Sequence, residues 1–285
     1  MRIADNWVDY ELINMDNGMK KERWGDYVLV RPDPQIIWNN NVDFGKYDAL
    51  YRRSNKGGGS WEYKTKLKDN WQIKYKDLTF NIKPMGFKHT GLFPEQAVNW
   101  DYMIDKIKNS GREIKVLNLF AYTGGATVAC LYAGASVCHV DSSRGMIDWA
   151  KENVKSNHLE NETIRFLVDD VKKFVKRELR RGNKYDIILM DPPSFGRGAK
   201  NEVWSIEKDL YNLVDDCTKL LSDKPLLFII NSYTTGLSNT VIENILHKTI
   251  TKEGTITSTE LGIKAKNNLI LPCGNTTRWE ANATK

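Results

Sequence analysis

Acidic residues and glycines follow several short apolar runs in the middle of this 285-residue chain. The first run leads into Phe120-Ala121-Tyr122-Thr123-Gly124-Gly125, and glycine is needed where backbone passes close to a ligand or adopts a positive φ. The second run ends at Asp141, 17 residues after Gly124, where a carboxylate can accept hydrogen bonds from both hydroxyls of a ribose. These residue types at this spacing indicate a nucleotide-binding turn.

Two further apolar runs also end in acidic residues. The third is followed by Asp169-Asp170, and either carboxylate could accept a hydrogen bond from an adenine amino group. The fourth ends in Asp191-Pro192-Pro193-Ser194-Phe195-Gly196, where two prolines directly after a buried strand hold the backbone rigid. An ordinary loop rarely needs an acid, two prolines, an aromatic residue and a glycine in six positions. We therefore interpret this segment as functional.

Each of these residues also has a structural interpretation, which the sequence leaves open. The adjacent glycines could simply make a tight turn, and Phe195 could be a core aromatic residue. The acidic residues could be N-caps of the helices that follow them. After Asp141, however, Ser142 or Ser143 would cap the next helix as well or better, which leaves the Asp141 carboxylate available to a ligand.

From residue 95 onward, runs of strand length alternate with runs of helix length. The predicted strands are 114–120, 136–140, 164–168, 185–190 and 226–231, with two weaker ones at 255–260 and 268–271. The predicted helices are 95–109, 126–133, 144–156, 171–181, 205–221 and 241–250. The purely apolar runs 187–190 and 226–230 are typical of parallel strands covered on both faces. The pattern predicts an α/β doubly wound sheet, which binds ligands at the carboxyl ends of its strands.

The first 84 residues have a different pattern, in which short aromatic-rich runs alternate with turn residues. Asn17-Gly18 between two extended runs predicts a β-hairpin, and a second hairpin is predicted from 61–67 to 71–75. The tryptophans of this region could form its core or an exposed aromatic platform. We predict a small antiparallel β module over residues 1–84 and a ligand-binding domain over residues 85–285.

The four strand-end segments, in this order, resemble class I S-adenosylmethionine-dependent methyltransferases, and in particular the bacterial large-subunit ribosomal RNA methyltransferases. Upstream, Gly86-Phe87-Lys88-His89-Thr90-Gly91-Leu92-Phe93-Pro94-Glu95-Gln96 is similar to the segment that this family places over the cofactor. The resemblance covers residues 85–275 and implies a Rossmann-like methyltransferase sheet. Residues 1–84 do not resemble the RNA-binding domain of many relatives, and we interpret them as a substrate lid or platform.

The resemblance implies a role for each matching residue. Asp141 would hold the ribose of S-adenosylmethionine, Asp170 would face the adenine with Asp169 as the alternative, and Gln96 and Trp100 would close over the pocket. The remaining implied cofactor contacts are Phe120, Tyr122, Thr123, Gly124, Ser142 and Asp191.

The same resemblance bears on the atom that is methylated. Asp-Pro-Pro followed by an aromatic residue is similar to the signature of enzymes that methylate nitrogens of bases. Asp191 and the carbonyl of Pro192 would accept hydrogen bonds from the amine, Pro193 would complete the rigid turn, and Phe195 would stack on the base. Relatives that form 5-methylcytosine carry a cysteine where this chain has Tyr233, and carbon-5 chemistry needs a thiolate. Cys273 is the remaining loop cysteine, and we disfavour this reaction.

The composition places few constraints on the partner. A net charge of +6 divides evenly between residues 1–95 and 96–285, at +3 each, so it permits but does not require a nucleic acid. A basic helix face at 172–184, or Arg197 and Lys200 near the Pro-Pro turn, could contact phosphates; the helix face could equally be solvated. Four cysteines without CxxC spacing and four histidines predict no metal site. No apolar run is long enough for a membrane span.

We therefore expect a cytoplasmic enzyme with reduced thiols that uses S-adenosylmethionine and acts on RNA, ribosomal RNA in particular. The alternative is a methyltransferase for a small molecule or a protein side chain, which the modest net charge favours.

Overall fold

The computed structural model of the protein describes residues 1–55, 57–198 and 201–282. Its contacts divide the chain into two compact units. The larger unit comprises Met1, Asn99–Leu261 and the chain from Gly274 onward, and the smaller unit comprises Arg2–Val98 and Gly262–Cys273. The division at residue 98 lies close to the change of composition near residue 95. Assigning separate roles to residues 1–84 and 85–285 stays a prediction.

The helices and strands of the described chain have the following bounds. The strands are β1 (Arg2–Ile3), β2 (Tyr10–Asp16), β3 (Met19–Trp24), β4 (Tyr27–Pro32), β5 (Ala49–Arg53), β6 (Gly59–Tyr63), β7 (Trp71–Tyr75), β8 (Leu78–Ile82), β9 (Lys115–Leu119), β10 (Ser136–Asp141), β11 (Ile164–Val168), β12 (Ile187–Met190), β13 (Phe195–Arg197), β14 (Val203–Ser205), β15 (Leu227–Ser232), β16 (Gly254–Lys264) and β17 (Ile270–Ala281). The helices are α1 (Ala97–Lys108), α2 (Gly125–Tyr132), α3 (Arg144–Ser156), α4 (Val171–Arg181), α5 (Ile206–Thr218) and α6 (Asn239–Thr249).

The larger unit is built on a mostly parallel sheet, with strand order β16-β17-β15-β12-β9-β10-β11. Strands β15, β12, β9, β10 and β11 run parallel, and β17 pairs antiparallel with β15. All residues of β12 are buried, as expected for a parallel strand covered on both faces. The predicted doubly wound α/β fold is confirmed. It brings the loops after β9, β10, β11 and β12 to one edge of the sheet.

The β13–β14 hairpin is a feature that the sequence pattern did not predict. It follows the Asp191-Pro192-Pro193 segment directly and pairs Phe195 with Ser205 and Arg197 with Val203. Its strands have three residues each, too short for an alternating pattern to be visible in the sequence.

The smaller unit contains a five-stranded sheet of order β2-β3-β4-β5-β6 and a separate β7–β8 hairpin. The hairpin predicted at Asn17-Gly18 is confirmed, with both residues at positive φ. The second predicted hairpin is wrong, because β6 pairs with β5 and β7 pairs with β8. The turn that joins β7 to β8 is Lys76-Asp77, where Lys76 has a positive φ.

Aromatic residues fill the core of the smaller unit. Trp24 is fully buried, and its ring packs edge-to-face on Tyr10 at 4.7 Å between centroids. Trp71 is 7% exposed and packs on Tyr27 at 4.8 Å. At these positions the structure favours the core interpretation of the early tryptophans over the platform interpretation.

Candidate active site

The loop after β9 has an unusual backbone. Phe120 and Tyr122 both adopt a φ of 53°, and Gly124 has a φ of 79°. A positive φ is uncommon for aromatic residues and costs about 1–3 kcal/mol at each such position. Gly124 is the N-cap of α2, and no side chain caps this helix end. The first N–H groups of α2 are therefore available to an anionic group of a ligand.

A buried polar network packs against the loop after β9. The Asn118 side chain donates to Thr127 Oγ1 at 2.9 Å, and Thr127 Oγ1 lies 2.8 Å from His139 Nδ1. Asn153 Nδ2 donates to the carbonyl of Thr123 at 2.8 Å. Burial lowers the pKa of His139 to about 3, although a backbone hydrogen bond with Tyr122 opposes the shift, so the imidazole is neutral. Sequence reasoning missed this network; its signal was a polar residue inside two otherwise apolar strands.

Asp141 lies at the end of β10, and backbone donors hold its carboxylate. The N–H of Tyr122 donates to Oδ2 at 2.9 Å, and the N–H of Ser143 donates to Oδ1 at 2.8 Å. Burial raises the pKa of Asp141, and these two hydrogen bonds oppose the increase. The N-cap of α3 is Ser143, whose hydroxyl accepts from the N–H of Met146. The carboxylate of Asp141 thus connects the β9 and β10 loops and keeps lone pairs for further donors, while Ser142 beside it is exposed.

The two acids after β11 have different partners. Asp170 is the N-cap of α4, and its Oδ1 accepts from the N–H of Lys173 at 2.9 Å. Asp169 forms an ion pair with Arg177, and its N–H donates to the carbonyl of Asp141 at 3.0 Å. The cap interpretation therefore holds for Asp170. The ion pair engages Asp169 Oδ2 and the cap engages Asp170 Oδ1, and the roles of both acids toward an adenine amino group stay predictions.

The Asp-Pro-Pro loop after β12 is fixed at several points. The N–H of Asp191 donates to the carbonyl of Leu119 at 3.3 Å, which continues the ladder between β12 and β9. The indole of Trp204 donates to the carbonyl of Pro193 at 2.6 Å, and Ser194 Oγ lies 2.7 Å from Thr234 Oγ1. Pro192 is buried, and its carbonyl accepts no hydrogen bond from the described residues.

Phe195 is not a core residue. Its side chain is 58% exposed, and it begins the β13–β14 hairpin just after the Pro-Pro turn. The structure thus contradicts the core interpretation of Phe195. The hairpin is anchored by Trp204, whose ring packs on Phe120 of the β9 loop at 5.0 Å between centroids. The sequence pattern does not indicate the role of Trp204, because the carbonyl to which it donates lies 11 residues earlier in the chain.

Gln96 and Trp100 belong to different units. Gln96 ends a 3-10 turn in the smaller unit and is 9% exposed. Trp100 lies on α1 in the larger unit and is 2% exposed. Their roles in closing over a cofactor stay predictions.

None of the four cysteines has the environment of an activated nucleophile. Burial raises the pKa of Cys130 to about 12 and that of Cys138 to about 11. Burial also raises the pKa values of Cys217 and Cys273 well above the usual value for a thiol. At the position where carbon-5 enzymes carry cysteine, Tyr233 packs so closely on Gly274 that a Cβ there would lie 2.7 Å from its ring.

The basic face of α4 is largely occupied by partners in the chain. Lys172 pairs with Asp209 at 3.0 Å and Lys173 with Glu202 at 2.6 Å, in addition to the pair between Arg177 and Asp169. These ion pairs favour the interpretation in which this face is the solvent side of the helix and not a phosphate-binding surface. Arg197 is exposed in β13, and Lys200 lies outside the described residues.

Within residues 1–55, 57–198 and 201–282, no three His, Cys, Asp or Glu side chains are grouped as metal ligands would be. None of the helices in that part of the chain has the length and apolar character to cross a membrane.

Residues 42–247 match the family model described as S-adenosylmethionine-dependent methyltransferase. The solved structure of a SAM-dependent methyltransferase from Agrobacterium tumefaciens is 36% identical, with a TM-score of 0.92, and the match covers 97% of this chain and 91% of that one.

Two curated relatives are longer proteins. Ribosomal RNA large subunit methyltransferase K/L of Shewanella frigidimarina is 29% identical over 237 residues, which are 80% of this chain and 32% of that protein. Ribosomal RNA large subunit methyltransferase K of Neisseria meningitidis serogroup B is 30% identical over 205 residues, which are 71% of this chain and 57% of that protein. This chain spans about a third of the first relative and somewhat over half of the second.

Proposed function

The chain belongs to the S-adenosylmethionine-dependent methyltransferase family, and from this premise we propose that it methylates a nitrogen of a base in RNA, ribosomal RNA in particular. The observation that carries the proposal is the loop after β12, where Asp191 and Pro192 are followed three residues later by Phe195, whose ring is exposed. The names of the two curated relatives support ribosomal RNA as the substrate. A cytoplasmic location is part of the same proposal.

The residues at the strand ends fit S-adenosylmethionine. The uncapped N-terminus of α2 suits a carboxylate, the Asp141 carboxylate suits two ribose hydroxyls, and Asp169 suits an amino group. When bound, this cofactor supplies a methyl group on a positively charged sulfur. The backbone of Phe120, Tyr122 and Gly124 is held in place before binding, so the chain contributes preorganisation.

The loop after β12 supplies hydrogen-bond acceptors for an amine. Trp204 occupies the carbonyl of Pro193, whereas the carbonyl of Pro192 accepts from none of the described residues. Together with the Asp191 carboxylate it can accept two N–H bonds and so orient the nitrogen lone pair. Phe195 can stack on the base, which must first leave its helix or lie in a single strand. A nitrogen acceptor needs no covalent intermediate: this positioning and the exclusion of water serve the transfer, and the proton that the amine loses passes to the Asp191 carboxylate or to solvent.

Carbon-5 methylation of cytosine is the less favoured reaction. It needs a thiolate that attacks the ring. In this chain burial raises the pKa of every cysteine, and Tyr233 stands at the position of the nucleophile in carbon-5 enzymes.

The test compares the wild type with Asp191→Ala and with Asp223→Ala, an exposed acid near the opposite end of the sheet. Each protein is incubated with unmodified 23S ribosomal RNA and cofactor labelled in its methyl group. We expect Asp191→Ala to lose at least about 100-fold in turnover, the usual size of a positioning and proton-accepting contribution, with cofactor affinity nearly unchanged. Asp223→Ala should match the wild type. Equal turnover in all three proteins would refute the role of Asp191.

A second candidate is a methyltransferase for a small molecule or a protein side chain. The observation that favours it is the set of three ion pairs on α4, which engages Lys172, Lys173 and Arg177 within the chain and leaves fewer basic side chains of this face for RNA phosphates. Failure of the wild type to label ribosomal RNA, with labelling of a metabolite or protein fraction of the same cells, would support this candidate instead.

A further inference from the structure

A buried polar cluster lies between α1, β15 and β17 in the larger unit. The Arg278 guanidinium, 4% exposed, donates through Nε at 2.9 Å and through Nη2 at 2.6 Å to Asn99 Oδ1. The Asn99 amide nitrogen donates at 3.1 Å to Asn231 Oδ1 and at 3.2 Å to Thr276 Oγ1. The guanidinium also lies 4.0 Å above the ring of Tyr102. None of the proposed cofactor contacts belongs to this cluster.

The positive charge of Arg278 determines how both amides are oriented. Two charged donors converge on one side-chain oxygen of Asn99, so the oxygen must face Arg278 and the nitrogen must face Asn231. The Asn99 amide nitrogen donates to the Asn231 side-chain oxygen, so this oxygen must face Asn99. The Asn231 amide nitrogen therefore points away from Asn99. In the described chain this nitrogen has no hydrogen-bond partner.

The sheet places this amide beside Asp191. Strands β12 and β15 are parallel with Met190 opposite Ile230, so the next residues along them are Asp191 and Asn231. Met190 and Ile230 both pack in the core on one face of the sheet. Because side chains alternate between faces, Asn231 points to the opposite face, and the continued ladder at Asp191 directs its side chain the same way. A carboxylate and an amide donor therefore stand side by side at the edge where the loops meet.

We propose that Asn231 is a specificity residue that reads the acceptor base, and that Asn99 and Arg278 are the positioning residues that hold its amide nitrogen toward the base. The inference rests on the proposed function and deepens it. An acceptor at Asp191 next to a donor at Asn231 matches an exocyclic amine adjacent to an unprotonated ring nitrogen. Bases that present an N–H or a C–H at that ring position leave the donor of Asn231 facing another donor or nothing.

The first experiment replaces the donor with an acceptor of the same shape. In Asn231→Asp one oxygen still accepts from Asn99, while the second faces the ring nitrogen as an acceptor. With unmodified 23S ribosomal RNA as the probe, we expect kcat/KM to fall about 100-fold at pH 8 and to recover partly as the pH is lowered, since the protonated acid donates again. The affinity for S-adenosylmethionine should stay within twofold. Asn239→Asp, the same change at the N-terminus of α6, should leave kcat/KM unchanged.

The second experiment reverses the orientation of the Asn231 amide through a substitution at Asn99. Asn99→Asp keeps an oxygen toward Arg278, so the buried charge stays paired and the fold is retained. The new carboxylate no longer donates to Asn231, whose amide must turn its nitrogen toward it and its oxygen toward the base. We expect a loss of kcat/KM close to that of Asn231→Asp, and no additional loss when Asn99→Asp is added to Asn231→Ala.

Three results would overturn the proposal. One is RNA methylation by Asn231→Asp within threefold of the wild type; another is an additive loss in the double variant, which would assign Asn99 a general structural role. A fall in cofactor affinity equal to the fall in kcat/KM would place the Asn231 contact on the cofactor and also refute it. Failure of the proposed function is distinguishable, because the wild type itself would then leave ribosomal RNA unlabelled.

Discussion

Two carboxylates, Glu22 in the smaller unit and Asp141 in the larger one, are held in opposite ways. In the smaller unit, Glu22 is fully buried and accepts from Arg31 at 2.6 and 2.7 Å and from the hydroxyl of Tyr10 at 2.8 Å. In the larger unit, Asp141 accepts from two backbone N–H groups and has no charged partner among the described side chains. One carboxylate is neutralised within the fold, and the other keeps its charge at a strand end.

The pKa values follow from this difference. Burial by itself raises the pKa of Glu22, but Arg31 and Lys20 outweigh burial and lower it to about 2. At Asp141 burial dominates the two backbone hydrogen bonds, and the pKa is raised. A charged partner thus makes a buried acid part of the framework, whereas backbone donors alone leave an acid whose charge a ligand can still use.

Removal of the structural carboxylate has the largest expected effect. Glu22→Ala leaves the Arg31 charge buried without its partner, and we expect the free energy of unfolding to fall by about 3–5 kcal/mol. Urea denaturation followed by tryptophan fluorescence measures the change. The matched control is Glu11→Ala, which removes a partly exposed acid paired with Arg23 and Lys266 and should cost at most about 1 kcal/mol. Equal losses of unfolding free energy in Glu22→Ala and Glu11→Ala would contradict the structural role of Glu22.

Acid should remove the same stabilisation in the wild type. Because the pKa of Glu22 is lower in the folded protein than in the unfolded chain, its contribution is complete above about pH 4.5 and is lost as the pH falls toward about 2. The contribution amounts to about 3 kcal/mol. We expect Glu22→Gln to lack this part of the pH dependence when unfolding free energies are measured between pH 6 and pH 3. Parallel curves of unfolding free energy against pH for the wild type and Glu22→Gln would show that protonation of Glu22 does not contribute to the loss of stability in acid.

Asp141 should matter less for stability and more for binding. Asp141→Asn leaves one backbone N–H without its acceptor, so we expect a loss of about 1–2 kcal/mol in unfolding free energy. The dissociation constant for S-adenosylmethionine, measured by titration calorimetry, should rise at least about 10-fold because hydroxyl groups bond more weakly to a neutral amide. A variant with wild-type affinity would remove Asp141 from the cofactor site.

The smallest effect is expected at Cys273. Its thiol is held in the smaller unit with a pKa that burial raises, so it is not the thiolate that carbon-5 chemistry requires. Cys273→Ala should keep turnover on RNA within twofold of the wild type. A loss of activity with an intact fold would return carbon-5 methylation to consideration.

Much of the larger unit could be predicted because its signals are local. The unbroken apolar run at 187–190 and the acids at the ends of runs depend only on neighbours in the chain, and they located the sheet and its binding edge. The second hairpin of the smaller unit was predicted wrongly because two short strands, β6 and β7, each pair with a partner that local spacing does not identify.

The fold class, the order of the strand-end motifs and the position of the Asp-Pro-Pro turn could be predicted from the residues alone, since they follow from periodicity and from the stiffness of proline. The packed chain was needed to show which acid is a cap, that Phe195 is exposed and that Arg278 orients Asn231 through Asn99. These features depend on residues that are far apart in the chain. Asn99 and Arg278 are 179 residues apart, and a hydrogen bond between them exists only once the sheet and α1 have packed.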